Sequence, residues 1–323
     1  MNDIFTRVDS IATLPQVLEQ IAHAYGLGTI STSSPILTGY QDCNIDVQST
    51  RGRFVIKIFA SDKTKERIDD VIIGYTTLRK NGVPVPMLKT SSEKQVLLKI
   101  PGNQHASFAC VFDYFEGKSF TKTQPTDKDI MSITTMLAKI HTTKNLTPHY
   151  YDTMGIVNLA SEYKLKSNAL SSEELTKISP VVSHLQRIPI ATFPKTLIHG
   201  TPEKENVLKN ANGDLCLLDL GCMDYNAAVI DIATFIANFA LYVTEEKRKH
   251  IVHLILDTYN PTRQITQAEL TALPALIRAQ YAAYIIAMTY HMRKNHDMTK
   301  QTQVWLDRGW DGLKSFTGIR KLI

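Results

Sequence analysis

The chain has 323 residues, of which 43% are hydrophobic, enough for a sizeable core in one two-lobed domain or two modest domains. Its formal net charge of +5 is spread along the sequence, without the dense Lys/Arg block that marks a nucleic-acid-binding protein. The four cysteines include no C-x-x-C pair, which argues against a disulfide framework and a zinc site and favours reduced thiols in an intracellular protein.

Two further features bear on the compartment in which the protein works. The N-terminal sequence MNDIFTRVDS has no basic region followed by an apolar stretch, so a secretory signal is not expected. The most apolar window, residues 279–292, is too short and too interrupted to span a bilayer. We therefore predict a soluble, cytoplasmic protein with neither a membrane nor a nucleic acid as its partner. The sequence does not indicate an oligomeric state.

The first third of the chain is predicted to be rich in strands. Residues Leu14 to Tyr25 have the apolar spacing of one helix face, and Gly26 ends that helix. The segment 36–59 then has the composition of two or three antiparallel strands. Gly39 lies in a polar turn of this segment. A single glycine fits an ordinary hairpin turn as well as a turn whose backbone amides approach phosphate groups.

Lys57 stands in the apolar run FVIKIF. Burying its ammonium group without an anionic partner is costly. Two interpretations are therefore open at this point: the side chain reaches solvent from an edge strand, or it binds an anion. A helix over Asp62–Lys80 is predicted next, ending at Gly82.

Two strands are predicted after that helix, over Gln95–Ile100 and Phe108–Phe115. The second strand runs into polar sequence. This pattern fits a hinge whose backbone, near Asp113 and Phe115, hydrogen-bonds an adenine edge, and it equally fits a plain edge strand. The nucleotide-binding interpretation of these two residues depends on what the rest of the chain carries.

The remainder of the chain is predicted to be helical. An apolar stripe begins at Asp127 and ends at His141, which we expect to serve the helix dipole or a backbone carbonyl and to have no catalytic role. Further helices are predicted over 157–188, 227–243, 245–259, 267–294 and 301–316, the last interrupted by Gly309 and Gly312. The change in character near Phe115 predicts a boundary between residues 1–115 and 116–323.

The candidate residues for binding and catalysis are concentrated in the segment 196–232. Its apolar runs NVLK and LCLLDL flank Asn212-Gly213, a pair typical of a tight two-residue hairpin turn because both residues tolerate a positive φ. Such a hairpin brings Asn206, at its start, close to Asp219, at its far end. An amide oxygen and a carboxylate are the hard ligands that suit Mg²⁺ carrying nucleotide phosphates. The sequence therefore predicts a metal–nucleotide site here.

These residues also carry a resemblance. His199-Gly200, Asn206, Asp219-Leu220-Gly221 and Asp231, at their spacings, resemble the catalytic segment of the aminoglycoside phosphotransferase and choline kinase family, a branch of the protein-kinase-like fold. The resemblance implies an α+β, two-lobed fold with an antiparallel-sheet N-terminal lobe and a mostly helical C-terminal lobe. It also implies ATP and Mg²⁺ as cofactors, with residues 1–115 binding nucleotide and residues 116–323 carrying the catalytic hairpin and the acceptor site.

The resemblance assigns roles in the first lobe. Lys57 would pair with nucleotide phosphates, and the position of Gly39 favours a phosphate-binding turn. Asp113 and Phe115 would belong to the adenine hinge. A carboxylate on the helix Asp62–Lys80 would hold Lys57, without a clear choice among Glu66, Asp69 and Asp70.

In the second lobe the resemblance implies that Asn206 and Asp219 bind the metal ion. His199 would brace the catalytic loop and would not act on substrate. Asp231 would orient the same loop by accepting hydrogen bonds from its backbone N–H groups.

One position departs from the family. Where the family has an Asp that accepts the proton of the substrate hydroxyl, this chain has Thr201, five residues before Asn206 as in the kinase loop. A threonine accepts no proton near neutral pH. A general base contributes roughly 10²- to 10⁴-fold to the reaction rate, so its loss slows a kinase without abolishing the activity. Glu203 and Glu205 lie in the same loop and could approach the acceptor, although solvation is their simpler role.

Two functions from different classes therefore remain open. The first is an ATP-dependent phosphotransferase that acts on the hydroxyl of a small molecule, such as an amino alcohol, an amino sugar or a homoserine-like compound. Glu203, Glu205 or a water would then replace the missing base, and the loop carboxylates would suit a cationic acceptor. The second is a catalytically impaired pseudokinase that binds nucleotide or a metabolite as a sensor or scaffold. Retention of Lys57, Asn206 and Asp219 favours the enzyme.

Overall fold

The computed structural model of the chain describes residue 5 and residues 7–37 and 42–317. The chain divides into two compact units. The first comprises Met1–Lys118 with Leu208–Leu218, and the second comprises Ser119–Val207 with Asp219–Ile323. The α+β class, with an antiparallel sheet in the N-terminal part and helices in the C-terminal part, is as the sequence predicts.

Regular elements follow one another along the chain with short connections. The N-terminal part contains α1 (Leu14–Ala24), β1 (Ile30–Pro35), β2 (Cys43–Ser49), β3 (Gly52–Ile58), α2 (Lys65–Lys80), β4 (Leu98–Ile100) and β5 (Ser107–Asp113). Next come β6 (Lys118–Ser119), α3 (Asp127–His141), α4 (Leu159–Lys166), α5 (Ser172–Leu185), β7 (Lys195–Ile198), β8 (Val207–Lys209), β9 (Leu215–Leu217) and β10 (Asp224–Ala227). The chain ends with α6 (Val229–Phe239), α7 (Glu245–Tyr259), α8 (Gln267–Lys294) and α9 (Lys300–Ser315).

A five-stranded antiparallel sheet forms the centre of the first unit, in the order β1-β2-β3-β5-β4. Alternate residues of β2 are buried, because successive side chains of a strand point to opposite faces. The register sets Ile45 opposite Ile56 and Val47 opposite Phe54, so apolar side chains share one face. Helix α1 adds Val17 and four more buried residues to the same core.

Lys57 lies on β3, which has a partner strand on each side. It pairs with Asn44 of β2 and with Cys110 of β5, and its side chain is only 7% exposed. The interpretation of Lys57 as an edge-strand lysine that reaches solvent is therefore wrong. A buried ammonium group requires an anionic partner, which the next subsection identifies.

The second unit is built around the 28-residue helix α8. Most of the buried residues of this helix lie in the stretch Leu273–Thr289. This is the one helix of the described residues that is long and apolar enough to cross a membrane by length and composition, and 78% of the qualifying window is buried inside the protein. The helix has the predicted bounds, 267–294, but the expectation that its apolar window is too short and too interrupted to span a bilayer is wrong by length and composition. Burial against other helices accounts for its composition.

Helix α9 runs unbroken from Lys300 to Ser315, so the predicted interruption at its glycines is wrong. The glycines provide close packing against α8. A Cβ atom on Gly309 would lie 2.6 Å from the Ile285 side chain, and one on Gly312 would lie 2.2 Å from the Tyr281 ring. Both residues keep helical backbone geometry. Glycine fits at these positions because the contact with α8 excludes a side chain.

Strands β8 and β9 form the predicted hairpin, but its turn is longer than two residues. The backbone N–H of Asn210 donates to the carbonyl of Asp214 at 3.0 Å, and Gly213 donates to Asn210 at 3.2 Å. Gly213 has φ +89° whereas Asn212 has no positive φ. The hairpin is therefore confirmed, and the two-residue turn is wrong because a single left-handed glycine closes a longer loop.

Candidate active site

The loop His199–Gly200–Thr201 follows β7 directly and is held by one carboxylate of α6. Asp231 is fully buried. Its Oδ2 accepts a hydrogen bond from the backbone N–H of His199 at 2.7 Å, and its Oδ1 accepts one from Gly200 at 2.9 Å. Asp231 therefore orients the loop by accepting backbone N–H bonds, as the sequence predicts.

Gly200 is required by this loop conformation. Its φ is +89°, and an added Cβ would lie 2.3 Å from the carbonyl oxygen of Cys222. Only glycine combines an unstrained left-handed backbone with so close an approach of another backbone segment. The His199–Thr201 loop and the segment after Asp219 thus meet at Gly200.

His141 has a role that the sequence analysis did not foresee. The expectation that it serves the helix dipole or a backbone carbonyl is wrong, because its Nε2 lies 3.0 Å from Oδ2 of Asp231 and its Nδ1 lies 2.6 Å from the Tyr259 hydroxyl. Burial raises the pKa of Asp231, but the hydrogen bond and charge of His141 outweigh it, so this pKa lies below its usual value. No spacing rule connects these residues, which lie far apart in the sequence.

Thr201 is fixed by its backbone. Its N–H donates to Nδ1 of His199 at 3.3 Å, and its carbonyl accepts from the Glu203 N–H at 2.8 Å and from Nδ2 of Asn206 at 3.0 Å. His199 is fully buried, so its ring contacts the loop from inside the fold. This geometry fits the bracing role that the sequence suggests for His199.

The two expected metal ligands both lie in the second unit. Nδ2 of Asn206 is turned to the Thr201 carbonyl, so Oδ1 is the amide atom that would ligate a cation. Asp219 adopts a left-handed conformation with φ 56°, and its Oδ1 accepts from the Gly221 N–H at 3.2 Å. Within the described residues no group of three His, Cys, Asp or Glu side chains could hold a metal ion alone. A hard cation here would therefore need further oxygen ligands, which nucleotide phosphates and water supply.

Glu203 and Glu205 are not simply solvated, so that expectation is wrong. Glu203 is 7% exposed and accepts a hydrogen bond from the Tyr284 hydroxyl at 2.6 Å. Arg308 holds both oxygens of Glu205, at 2.5 and 3.2 Å. Asn238 closes the network by accepting from Arg308 at 2.8 Å and donating to Tyr284 at 3.0 Å. Both loop carboxylates are thus tied to helices α6, α8 and α9.

Burial and the neighbouring charge of Glu205 raise the pKa of Glu203 to about 8. At neutral pH this carboxyl is therefore mostly protonated, which suits a buried group without a cation of its own. It acts as a neutral hydrogen-bonding partner inside the fold. The pattern of the sequence gave no signal for this, because Glu203 and Glu205 look equivalent there.

A small pocket lies beside the His199–Thr201 loop, within the second unit. Gly200 and Cys222 form part of its wall, and two carboxylates, those of Asp152 and Asp224, face it. Asp224 accepts from the backbone N–H of Tyr150 at 3.2 Å and from Nδ2 of Asn226 at 3.0 Å. The sequence analysis did not single out either carboxylate.

Asp152 differs from Asp224 in its surroundings. Its Oδ1 accepts from the Met154 N–H at 2.9 Å, but burial dominates and raises its pKa to about 6. A carboxylate with such a pKa is ionised at neutral pH yet accepts a proton more readily than an ordinary aspartate. The pocket therefore combines a backbone wall from the loop with a carboxylate suited to proton transfer.

In the first unit, Lys57 contacts the carboxylate of Asp42 at 2.9 Å. Asp42 immediately precedes β2, whereas the resemblance had implied a partner on the helix after β3. On that helix Asp69 instead pairs with Lys65, at 2.5 Å. Lys63 also contacts Asp42, at 2.8 Å. Gly39, the predicted phosphate-turn residue, lies outside the described residues.

The predicted adenine hinge follows β5. The backbone N–H of Asp113 donates to the Met87 carbonyl at 3.0 Å, and its side chain lies 3.4 Å from Nζ of Lys89. Phe115 lies beyond the end of the strand. The Tyr114 N–H donates to the Arg53 carbonyl at 3.2 Å, so the N–H groups of Asp113 and Tyr114 both have carbonyl partners within the first unit.

Known proteins resemble this chain in sequence and in fold. The model of the phosphotransferase enzyme family matches residues 32–268. A homoserine kinase of Methylobacillus glycogenes is 22% identical over 267 residues, covering 81% of this chain and 80% of that protein. Among solved structures, an amicoumacin kinase in complex with AMP-PNP and Ca²⁺ gives a TM-score of 0.72 at 14% identity, over 98% of this chain and 96% of the other.

A spectinomycin phosphotransferase in complex with ADP and spectinomycin gives a TM-score of 0.70 at 13% identity, over 94% of this chain and 99% of the other. At these identities the structural likeness establishes the fold. The two-lobed, protein-kinase-like architecture expected from the sequence is thereby confirmed.

Proposed function

Since the chain belongs to the phosphotransferase enzyme family, we propose that it transfers the terminal phosphate of ATP to a hydroxyl group of a small molecule. The observation that carries this proposal is the pocket beside Gly200, bounded by the loop that Asp231 holds. Phosphoryl transfer depends mainly on positioning and on charge, and little covalent chemistry is asked of the protein. A pocket that opens on a rigid loop supplies the positioning.

The residues present fit the family's cofactors. Asn206 and Asp219 would hold Mg²⁺, whose charge neutralises the phosphate oxygens when it is bound. Lys57, a buried ammonium group, would contact the phosphates of ATP. His199 and Asp231 would keep the loop in place, and they touch neither substrate nor nucleotide.

We place the proton acceptor at Asp152, in place of the family Asp that Thr201 replaces. Glu205 is unsuited because Arg308 holds both of its oxygens. Glu203 is unsuited because it lies behind the loop, buried against Tyr284. Asp152 faces the pocket that Gly200 bounds, and its raised pKa of about 6 suits transfer of a hydroxyl proton near neutral pH.

The pocket's charge indicates the acceptor class. Two carboxylates, Asp152 and Asp224, face it, and they would attract an acceptor that carries an ammonium group besides its hydroxyl. Amino alcohols, amino sugars and homoserine all meet this description. A sequence relative of this chain is named a homoserine kinase, which makes homoserine the first acceptor to test.

A second function is favoured by one observation, the threonine at position 201. A pseudokinase that binds nucleotide without turnover would need no base there. The two functions are separated by measuring ATP turnover against homoserine, choline, aminopropanol and spectinomycin, with the native protein beside Thr201→Asp.

We expect turnover by the native protein with one of these acceptors, and its loss in Asp152→Asn by roughly 10²-fold or more. Native turnover that persists undiminished in Asp152→Asn would remove Asp152 from the proposal. Turnover that appears only in Thr201→Asp would establish the pseudokinase. Asp214→Asn, which alters an exposed hairpin carboxylate, is the matched control.

A further inference from the structure

The segment that carries Asn206 forms a tight turn closed by its own hydrogen bonds. The backbone N–H of Glu203 donates to the Thr201 carbonyl at 2.8 Å, and the backbone N–H of Asn206 donates to the Glu203 carbonyl at 3.0 Å. Nδ2 of Asn206 also donates to the Thr201 carbonyl, at 3.0 Å. The direction of the Asn206 amide therefore depends on the shape of the whole turn Thr201–Asn206.

Arg308 of helix α9 binds this turn at Glu205, the residue directly before Asn206. Its Nη2 donates to Oε1 of Glu205 at 2.5 Å, and its Nη1 donates to Oε2 at 3.2 Å. Two parallel hydrogen bonds fix the orientation of a carboxylate as well as its distance, which a single lysine ammonium group does not do. The backbone next to the Asn206 side chain is thus attached to α9 at two points.

Arg308 is itself held in place by its surroundings. Its side chain is 10% exposed, its Nη1 donates to Oδ1 of Asn238 at 2.8 Å, and its guanidinium group lies 4.0 Å from the centroid of the Trp305 ring. Nδ2 of Asn238 donates in turn to the Tyr284 hydroxyl at 3.0 Å. An ion pair so far removed from water is screened little by salt, so Arg308 provides an ordered anchor for the turn.

Coordination chemistry makes the placement of the Asn206 amide important. Mg²⁺ requires nearly ideal octahedral geometry with short distances to its oxygen ligands. Side chains that orient a ligand from outside the coordination sphere typically change metal affinity by roughly 10- to 100-fold when they are replaced. The contact between Arg308 and Glu205 is such an outer contact, one residue away from the candidate ligand Asn206.

Resting on the proposed function, in which Asn206 holds the metal ion, we propose that Arg308 is a positioning residue for metal binding. Through its two hydrogen bonds with Glu205 it fixes the turn that presents the Asn206 amide oxygen to the cation. Arg308 is not itself a ligand, because a guanidinium group has only donors to offer. Helix α9 therefore contributes to metal affinity as well as to stability.

Arg278 supplies a matched control on helix α8. Its Nη1 donates to the carbonyls of Leu313 and Phe316, at 3.2 and 3.3 Å, so it ties α8 to the end of α9. Arg278→Lys weakens the contact between these helices and keeps the charge, as Arg308→Lys does. A metal-binding defect found only in Arg308→Lys therefore reflects the contact with Glu205 and excludes a general loosening of α9 as the cause.

The test measures two affinities separately. Binding of Mn²⁺, which favours the same oxygen ligands as Mg²⁺, is followed by electron paramagnetic resonance with saturating ADP present, and binding of ADP without metal is followed by calorimetry. In Arg308→Lys and in Glu205→Gln we expect the Mn²⁺ affinity to fall roughly tenfold or more, while the metal-free ADP affinity stays unchanged. Arg278→Lys should keep the native Mn²⁺ affinity.

The double variant Glu205→Gln/Arg308→Lys tests whether Arg308 acts through Glu205. Both substitutions break the same contact, so the double variant should lose no more Mn²⁺ affinity than the more affected single variant. Losses that add in the double variant would show that Arg308 acts by another route, and this result overturns the inference.

Three further results would also overturn it. Undiminished Mn²⁺ affinity in Arg308→Lys would show that the contact does not position the ligand. An equal loss in Arg278→Lys would assign the effect to helix packing. Equal losses of Mn²⁺ affinity and of metal-free ADP affinity in Arg308→Lys would show that Arg308 only supports the fold.

Failure of the proposed function gives a different result. Native protein whose Mn²⁺ binding depends on Asn206, by comparison with Asn206→Ala, and on Arg308, but which transfers phosphate to no acceptor, would refute the phosphotransferase and support the positioning role. Native protein that binds no Mn²⁺ with ADP would refute both. Native Mn²⁺ affinity in Asn206→Ala would remove Asn206 as a metal ligand and the inference with it.

Discussion

At the scale of single residues, Asp231 joins three parts of the chain at one carboxylate. It receives the backbone N–H groups of His199 and Gly200 and a ring nitrogen of His141. A buried carboxylate is costly unless its oxygens are satisfied, and here both are. The loop conformation is therefore coupled to the packing of α3 and α6.

Glu203 is also buried, but unlike Asp231 it keeps its proton. Its hydrogen bond with Tyr284 places it between α8 and the loop. Because its pKa is raised from 4.5 to about 8, the folded state holds a proton that the unfolded state has released over this range. The free energy of unfolding is therefore expected to fall as the pH rises from about 4.5 to 8.

We predict that Glu203→Gln removes this dependence, because glutamine keeps a carbonyl acceptor for Tyr284 and cannot ionise. Urea unfolding at pH 5, 6, 7 and 8 measures the difference between variant and native protein, which should grow in favour of the variant towards pH 8. Glu173→Gln, at a side chain that is 79% exposed, is the control. Parallel stability curves for Glu203→Gln and native protein would contradict the prediction.

At the scale of elements, the position of α9 depends on two glycines, whose lack of a side chain allows close contact with α8. Gly309 and Gly312 lie on the side of α9 that touches α8, and α9 carries Arg308 to the loop carboxylate Glu205. Close approach of the two helices is thus a condition for that ion pair. An exposed ion pair contributes little, but Arg308 is 8% exposed and is further held by Asn238 and by the Trp305 ring at 4.0 Å.

Gly312→Ala should destabilise the protein by about 1–3 kcal/mol, because the new methyl group overlaps the Tyr281 ring. The same substitution on a free helix would be stabilising, so the sign of the effect reports the helix contact. Denaturant unfolding measures it, with Lys314→Ala on the exposed side of α9 as a control expected within about 0.5 kcal/mol of the native value. A Gly312→Ala protein as stable as the native one would show that α8 and α9 are more widely spaced.

At the scale of the whole molecule, the proposed ligands should stabilise the folded state. A ligand that binds only the folded state raises the free energy of unfolding by RT ln(1 + [L]/Kd), about 2.7 kcal/mol at a hundred times the Kd. We expect ATP with Mg²⁺ to raise the melting temperature, and chelation of Mg²⁺ to remove most of the gain. Differential scanning calorimetry checks this prediction, with adenosine as the control that lacks phosphates. No shift with saturating ATP and Mg²⁺ would contradict nucleotide binding.

Local sequence patterns were sufficient to predict the helices and strands. Hydrophobic periodicity located α7 and α8 to the residue, since period and capping are properties of adjacent positions. The spacing of His199, Asn206, Asp219 and Asp231 indicated the family, because each of these residues has a fixed place along one hairpin, the loop before it or the helix that follows it. The composition of the segment 36–59 likewise indicated strands in the region of β2 and β3.

Only the tertiary structure decided which side chains meet. His141 reaches Asp231 across 90 residues, and Arg308 reaches Glu205 across 103. Asp42 rather than a helix carboxylate contacts Lys57. The glycines of α9 pack against α8, although the sequence had indicated that they interrupt the helix. Such pairings arise from long-range packing and burial, which set contacts and pKa values through neighbours that no local pattern contains. The sequence by itself determined the fold and the family, and the three-dimensional contacts decided how each charged group is satisfied.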